Sequence, residues 1–114
     1  MSGARMRRVD EAMRQVLGDA LAQELKDPRI GFVTVTDVKT SPDLRHARVY
    51  VSVLGTDAEQ VATLDGLRSA HGFLQGHVAS ELRLKRTPEL RFELDHTAEN
   101  AARLERLIEE AGGA

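Results

Sequence analysis

Residues 44–54, Leu-Arg-His-Ala-Arg-Val-Tyr-Val-Ser-Val-Leu, constrain the fold more than any other stretch of the chain. Ala47, Val49, Val51 and Val53 alternate with Arg48, Tyr50 and Ser52, so an extended backbone sends the two sets to opposite sides. Such a strand is buried on one face and wet on the other, as antiparallel sheets permit. It needs a strand to pair with and a layer of helices to cover its valines. The segment before it supplies the strand. Residues Ile30 to Lys39 include Ile30, Val33, Thr34, Val35, Thr36 and Val38, all β-branched. Thr40-Ser41-Pro42-Asp43 then reads as a turn with Pro preset at its first central position, which predicts an antiparallel pair. Phe32 and Val33 are adjacent and apolar, so this first strand is either buried on both faces or bulged.

The rest of the chain supplies helices. A first helix is expected from about Met6 to Leu25, with Val9, Met13, Val16, Leu17, Ala20, Leu21 and Leu25 forming a stripe of period 3.6. Asp27-Pro28 ends it, because the residue before a proline is pushed out of the helical region. Thr56-Asp-Ala-Glu59 matches a capping box and starts the next helix. From Leu64 to Leu82 two helices are expected to meet at Ala70-His71-Gly72. Val61, Leu64 and Leu67 recur at helical spacing before the joint, and Phe73, Leu74, His77, Val78 and Leu82 mark a face after it. Gly72 suits a kink or cap, and Gly76 permits close packing. The joint either offers backbone N–H groups to a phosphate or is a plain helical hairpin. Thr87-Pro88 breaks the chain. Leu90, Phe92 and Leu94 then alternate with Arg91 and Glu93 as a short third strand. Thr97 is expected to cap a last helix with Glu99 in its first turn and Ala101, Leu104, Leu107 and Ile108 packed inward, before Ala111-Gly-Gly-Ala frays.

The expected fold class is therefore α+β, one domain over residues 1–114 with a core of about 6–110 and a short N-terminal arm. The order is α-β-β-α-kink-α-β-α. Three strands form one sheet with the helices on one face, and the other face stays open to a partner.

Several function classes fall away. Cys is absent, which excludes disulfides, thiol catalysis and Cys-ligated zinc. No apolar run approaches the roughly 20 residues of a membrane span, and Met1-Ser-Gly-Ala-Arg-Met-Arg-Arg has no apolar region after its basic residues, so no signal peptide is expected. A cytoplasmic protein with no membrane association follows. His46, His71, His77 and His96 form no close ligand pair, so neither a metal nor another cofactor is expected. Ser41, Ser52, Ser69 and Ser80 sit in no nucleophile elbow, and no phosphate-cradling glycine pattern occurs, which argues against an enzyme.

Charge distribution says more than the net charge of −2. Residues 1–53 carry nine Lys/Arg against seven Asp/Glu, residues 54–91 balance at five and five, and residues 92–114 carry two against six. The acidic excess is in the tail, which leaves local faces of the domain free to be basic. Arg83, Lys85, Arg86 and Arg91 form the densest cluster, with Arg5, Arg7 and Arg8 as a second, and together they predict a surface that tracks phosphates. With three Phe and one Tyr the chain is poor in stacking platforms, so a folded RNA surface is a better ligand than a single strand.

In order and spacing, Lys26-Asp-Pro-Arg-Ile30, Val33-Thr-Val-Thr-Asp-Val38, Ser41-Pro-Asp-Leu-Arg-His-Ala-Arg-Val-Tyr-Val51, Ala70-His-Gly72 and Arg83-Leu-Lys-Arg-Thr-Pro-Glu-Leu-Arg-Phe92 with Asp95 resemble the ribosome-binding factor A family. The resemblance covers about Met6 to Ile108. It implies a type II KH-like domain in which the usual helix–GxxG–helix element is replaced by a kink of the form Ala-x-Gly, here Ala70-His71-Gly72. It also implies a factor that binds free 30S small ribosomal subunits and assists late maturation and processing of 16S rRNA near its 5′-terminal helix. The expected RNA-binding residues are Arg5, Arg7, Arg8, Arg45, Arg48, Ala70, His71, Gly72, Arg83, Lys85 and Arg86. A monomer acting without catalysis is expected. The alternatives are a KH-type regulator of single-stranded RNA and a protein-interaction module using the open sheet face.

Overall fold

The computed structural model of the chain describes residues 3–23 and 27–112, with Ala98 and Glu99 described by their backbone alone. Leu25 of the first stripe, Lys26 and the Glu99 side chain therefore lie outside the described residues. The elements run α1 (Gly3–Gln23), β1 (Phe32–Thr40), β2 (His46–Leu54), α2 (Asp57–Ser69), α3 (His71–Leu82), β3 (Glu89–Leu94) and α4 (Thr97–Gly112). This is the expected order.

The sheet has order β1-β2-β3, with β1 antiparallel to β2 and β2 parallel to β3. The α2–α3 crossover carries the chain back over one face, as a parallel neighbour requires. Ala47, Val49 and Val51 of β2 are fully buried, and Arg48 and Ser52 are exposed. Strand β1 resolves the alternation problem with a bulge. Its register shifts between Val35 and Asp37, leaving Thr36 as the extra residue. Val35 and Val38, three positions apart, then both point into the core. Burial on both faces is overturned, since Phe32 is 81% exposed.

Met13, Leu17, Ala20 and Leu21 of α1, Leu67 of α2, and Leu74 and Val78 of α3 cover the inner face of the sheet. Buried Thr63 ties α2 to the incoming loop, donating to the Arg29 carbonyl and accepting from the Gly31 N–H, both at 3.3 Å. One turn later Gly66 lets that loop approach, because a Cβ there would lie 2.7 Å from Ile30 Cγ1. The α2 start is the reciprocal capping box expected at Thr56 and Glu59.

Four local expectations are corrected. Helix α1 begins at Gly3, so Arg5, Arg7 and Arg8 sit on a helix rather than on an arm. Strand β2 starts at His46 because the turn continues through Leu44, whose φ of 60° is left-handed. The α2–α3 joint is Ala70 alone. Its N–H reaches Gly66 O and Leu67 O, and its carbonyl accepts from Leu74, so hydrogen bonding passes the kink almost unbroken. Gly72 lies inside α3 with open space where a Cβ would stand, and so does Gly76, so neither serves as a hinge or a packing site.

The fourth correction concerns α4. Its described side chains are all exposed, including Leu104, Leu107 and Ile108 at 58%, 53% and 61%. Strand β3 ends at Leu94, and α4 buries none of its described side chains against the core. Its first amide is met by Asp95, whose Oδ1 accepts from Thr97 N–H at 2.9 Å. The helix runs on through Ala111 to Gly112 where fraying was expected.

Candidate nucleic-acid interface

The β1–β2 turn, the α3–β3 connection and the first turns of α1 converge at one end of the molecule. The turn is closed by Leu44 N–H to Ser41 O at 2.9 Å and Ser41 N–H to His46 O at 2.8 Å. The connection starts at Arg83, which ends α3 in the left-handed conformation, φ 48° and ψ 40°. It ends where Glu89 N–H reaches Arg45 O at 2.8 Å and Gln75 of α3 accepts from Leu90 N–H at 3.1 Å. Leu44 and Arg83 are the non-glycine residues of positive φ among those described, and both belong to this end. Backbone of this kind is costly and concentrates where a surface is shaped for a task.

Between these segments lies a groove of about 500 Å³. Met6, Val9, Leu44, Leu84 and Pro88 make its apolar floor, and Arg5, Lys85, Arg86 and Asp43 stand around it. Lys85 and Arg86 are exposed and bring positive charge to the rim; Arg45 and Arg83 are exposed on the segments beside it. Arg5 thus meets Lys85 and Arg86, far from it in sequence, at one groove.

The other expected contacts go elsewhere. Successive positions on a helix turn by about 100°, so Arg7 faces away from Arg5, while Arg8 stands one turn on, beside Arg5's own side of the helix. Arg7 and Arg8 border a shallow surface with Glu11 and Gln15, where Glu11 is already engaged with Arg14. Arg48 lies on the open sheet face, in register with Lys39 on one side and Arg91 on the other. Its guanidinium is held further toward the charged form by the Tyr50 hydroxyl and by Glu93. His71 lines a depression along the β3 edge with Arg68, Arg91 and Glu93, and its Nε2 is buried without a partner. Ala70 forms the kink, and exposed Gly72 adds no open loop. The expected residues therefore divide among the groove, the outer surface of α1, the sheet face and the β3 edge.

Leu44, Leu84, Met6 and Asp43 were not singled out from the sequence, although the first three build the floor. The only local signal was Asp43 behind Pro42 in a turn. A left-handed leucine leaves no mark in sequence, since that conformation favours Gly or Asn. Among the described residues no group of three His, Cys, Asp or Glu is placed to hold a metal, and no helix is long and apolar enough to cross a membrane.

Comparison with known proteins agrees with this architecture. Residues 5–108 match the family model described as ribosome-binding factor A. The solution structure of a Thermotoga maritima protein described as a candidate ribosome-binding factor A superposes with a TM-score of 0.73 at 40% identity, over 82% of this chain and 89% of that one. The crystal structure of ribosome-binding factor A from Thermus thermophilus gives 0.69 at 28% identity, over 78% and 94%. A homology model of the Thermus thermophilus factor, fitted into a cryo-EM map of its complex with the 30S subunit, gives 0.64 at 28% identity, over 75% and 90%.

Proposed function

The chain belongs to the ribosome-binding factor A family, and we propose that it is an assembly factor that binds free 30S subunits and assists late maturation and processing of 16S rRNA, around its 5′-terminal helix. The observation that carries this reading is the fit of a similar Thermus thermophilus factor into a 30S complex, joined to the basic groove described above. The domain acts by differential affinity. It binds one RNA conformation more tightly than another and shifts the equilibrium by that difference, with no bond made or broken and no cofactor. The whole described chain serves as one KH-like binding domain and works as a monomer.

Arg5, Arg45, Arg83, Lys85 and Arg86 hold phosphates at the groove end of the molecule. Arg7 and Arg8 extend that surface along α1. Arg48, and the Ala70-His71-Gly72 kink, contribute secondary contacts on the sheet face and the β3 edge. Phosphate contacts of this kind position a protein on RNA without reading sequence.

Sedimentation of the purified chain with free small subunits and with whole ribosomes, at two salt concentrations, tests the reading. Salt-sensitive binding to the free subunit that is lost on whole ribosomes is expected. Reversing charge at Arg83, Lys85 and Arg86 is expected to abolish it. Equal affinity for short unstructured RNA and for subunits would point to a single-strand regulator instead. Absence of binding to either particle would sink the assembly role and leave the open sheet face as a protein-binding surface.

A further inference from the structure

We propose that the groove takes one unstacked guanine nucleotide of the bound RNA, with its base on the apolar floor and its neighbouring phosphates on the cationic rim. The inference deepens the RNA-binding reading above and rests on it. Three observations carry it.

The first is shape and lining. A volume of about 500 Å³ falls within the range of small-ligand sites, which runs from roughly 300 to 1,000 Å³. The floor offers Met6, Leu44 and Leu84. A thioether and branched aliphatics make good contact with the face of a flat ring, and RNA is read at sequence level through bases splayed out of the stack.

The second is the position of Asp43. In a cradle for phosphate alone, a carboxylate beside Arg5, Lys85 and Arg86 would weaken binding by repulsion. Its presence points to a ligand that brings N–H donors along with its negative charge. Oδ1 of Asp43 already accepts from Ser41 Oγ at 2.6 Å and from Arg45 N–H at 3.0 Å. These bonds orient the carboxylate and hold its pKa below the usual carboxylate range, with the Ser41 hydroxyl the larger cause. Oδ2 receives no hydrogen bond from the described residues. Guanine is the base whose pairing edge sets two donors side by side, N1–H and the N2 amino group. Uracil, adenine and cytosine each place an acceptor beside their donor, which would face the carboxylate and be repelled.

The third is pre-organisation. Leu44, on the floor, and Arg83, next to Leu84, are both held at positive φ. Asp43 and Leu44 are fixed in one hydrogen-bonded turn. The walls of the groove are thus set before a ligand arrives, which lowers the cost of binding.

The test uses the full chain and RNA pentamers 5′-UUGUU-3′, 5′-UUAUU-3′, 5′-UUCUU-3′ and 5′-UUUUU-3′, followed by amide chemical shifts. The guanine pentamer is expected to bind about 10- to 150-fold tighter than the uridine one, the range for a hydrogen bond to a charged group, here Oδ2, and to shift the amides of residues 43–45 and 84–86. Asp43→Asn keeps an Oδ1 acceptor for Ser41 and Arg45, so the turn survives, but it turns the free oxygen into a donor. It is expected to erase the guanine preference and to leave uridine binding within about twofold. Equal binding of all four pentamers by the native chain, no binding of any, or a preference that persists in Asp43→Asn would overturn the proposal. Sedimentation of the same proteins with free 30S subunits separates the two readings. Subunit binding without base preference removes only the guanine site, whereas base preference without subunit binding removes only the assembly role.

Discussion

At Arg83, backbone stability and the proposed binding role fall on a single residue. Its left-handed backbone at the end of α3 is the position where helices favour glycine. Arg83→Gly is therefore expected to stabilise the fold by about 0.5–1 kcal/mol in urea unfolding, the relieved strain being partly offset by a more flexible unfolded chain. The same change should weaken subunit binding, because it deletes a cation beside the groove. Asp95 is the second such residue. Hydrogen bonds from the Thr36 hydroxyl, and then from Thr97, lower its pKa to about 2, well under the roughly 3.9 of an unfolded aspartate. A depressed folded pKa stabilises the native state above the unfolded value, and that contribution is lost as pH falls from about 4 toward 2. Asp95→Asn should flatten this part of the stability–pH profile. An unchanged acid limb would show that the Thr36–Asp95 contact does not form in solution.

At the scale of elements, the contrast is between α3 and α4. Leu74 of α3 is fully buried, and Leu74→Ala is expected to cost about 2–5 kcal/mol. The stripe of α4 looks equally apolar in sequence but is exposed along its length. Leu104→Ser with Ile108→Ser should therefore change the global unfolding free energy by less than about 0.5 kcal/mol. A loss several times larger would mean that α4 packs on the core. A helix of this length whose described side chains are all exposed gains little from packing, so amide exchange should be faster in α4 than in α1 or α3.

At the scale of the molecule, the described chain measures 57 × 40 × 19 Å, with a Cα radius of gyration of 16.3 Å. A compact domain of this length would have about 13 Å. Helix α4, exposed in all its described side chains, carries much of the acidic tail. The basic end gathers Arg5, Arg45, Arg83, Lys85 and Arg86, so a protein of net charge −2 can still present a cationic surface. Binding to subunits should weaken steeply with salt. Replacing Arg5, Lys85 and Arg86 by Gln together should reduce the slope of log K against log salt concentration by about 2 to 3. A slope unchanged by that replacement would place the phosphate contacts elsewhere.

Local chemistry determined the element order, the buried face of β2, the capping box at Thr56 and the breaks at Pro28 and Pro88. Period, capping and proline stereochemistry act within a few residues, so they can be read from the chain itself. The bulge at Thr36 was legible only as one of two ways to accommodate Phe32 and Val33. Tertiary structure alone decided that β3 joins β2 in parallel, that the kink falls at Ala70 rather than Gly72, and that the α4 stripe stays exposed. It also decided which cations meet. Arg5 and Arg86 are drawn together, while Arg5 and Arg7, two positions apart, are turned away from each other. Where a side chain ends up depends on every turn between it and its neighbour, and two of those turns hinge on left-handed residues, Leu44 and Arg83, that composition does not announce.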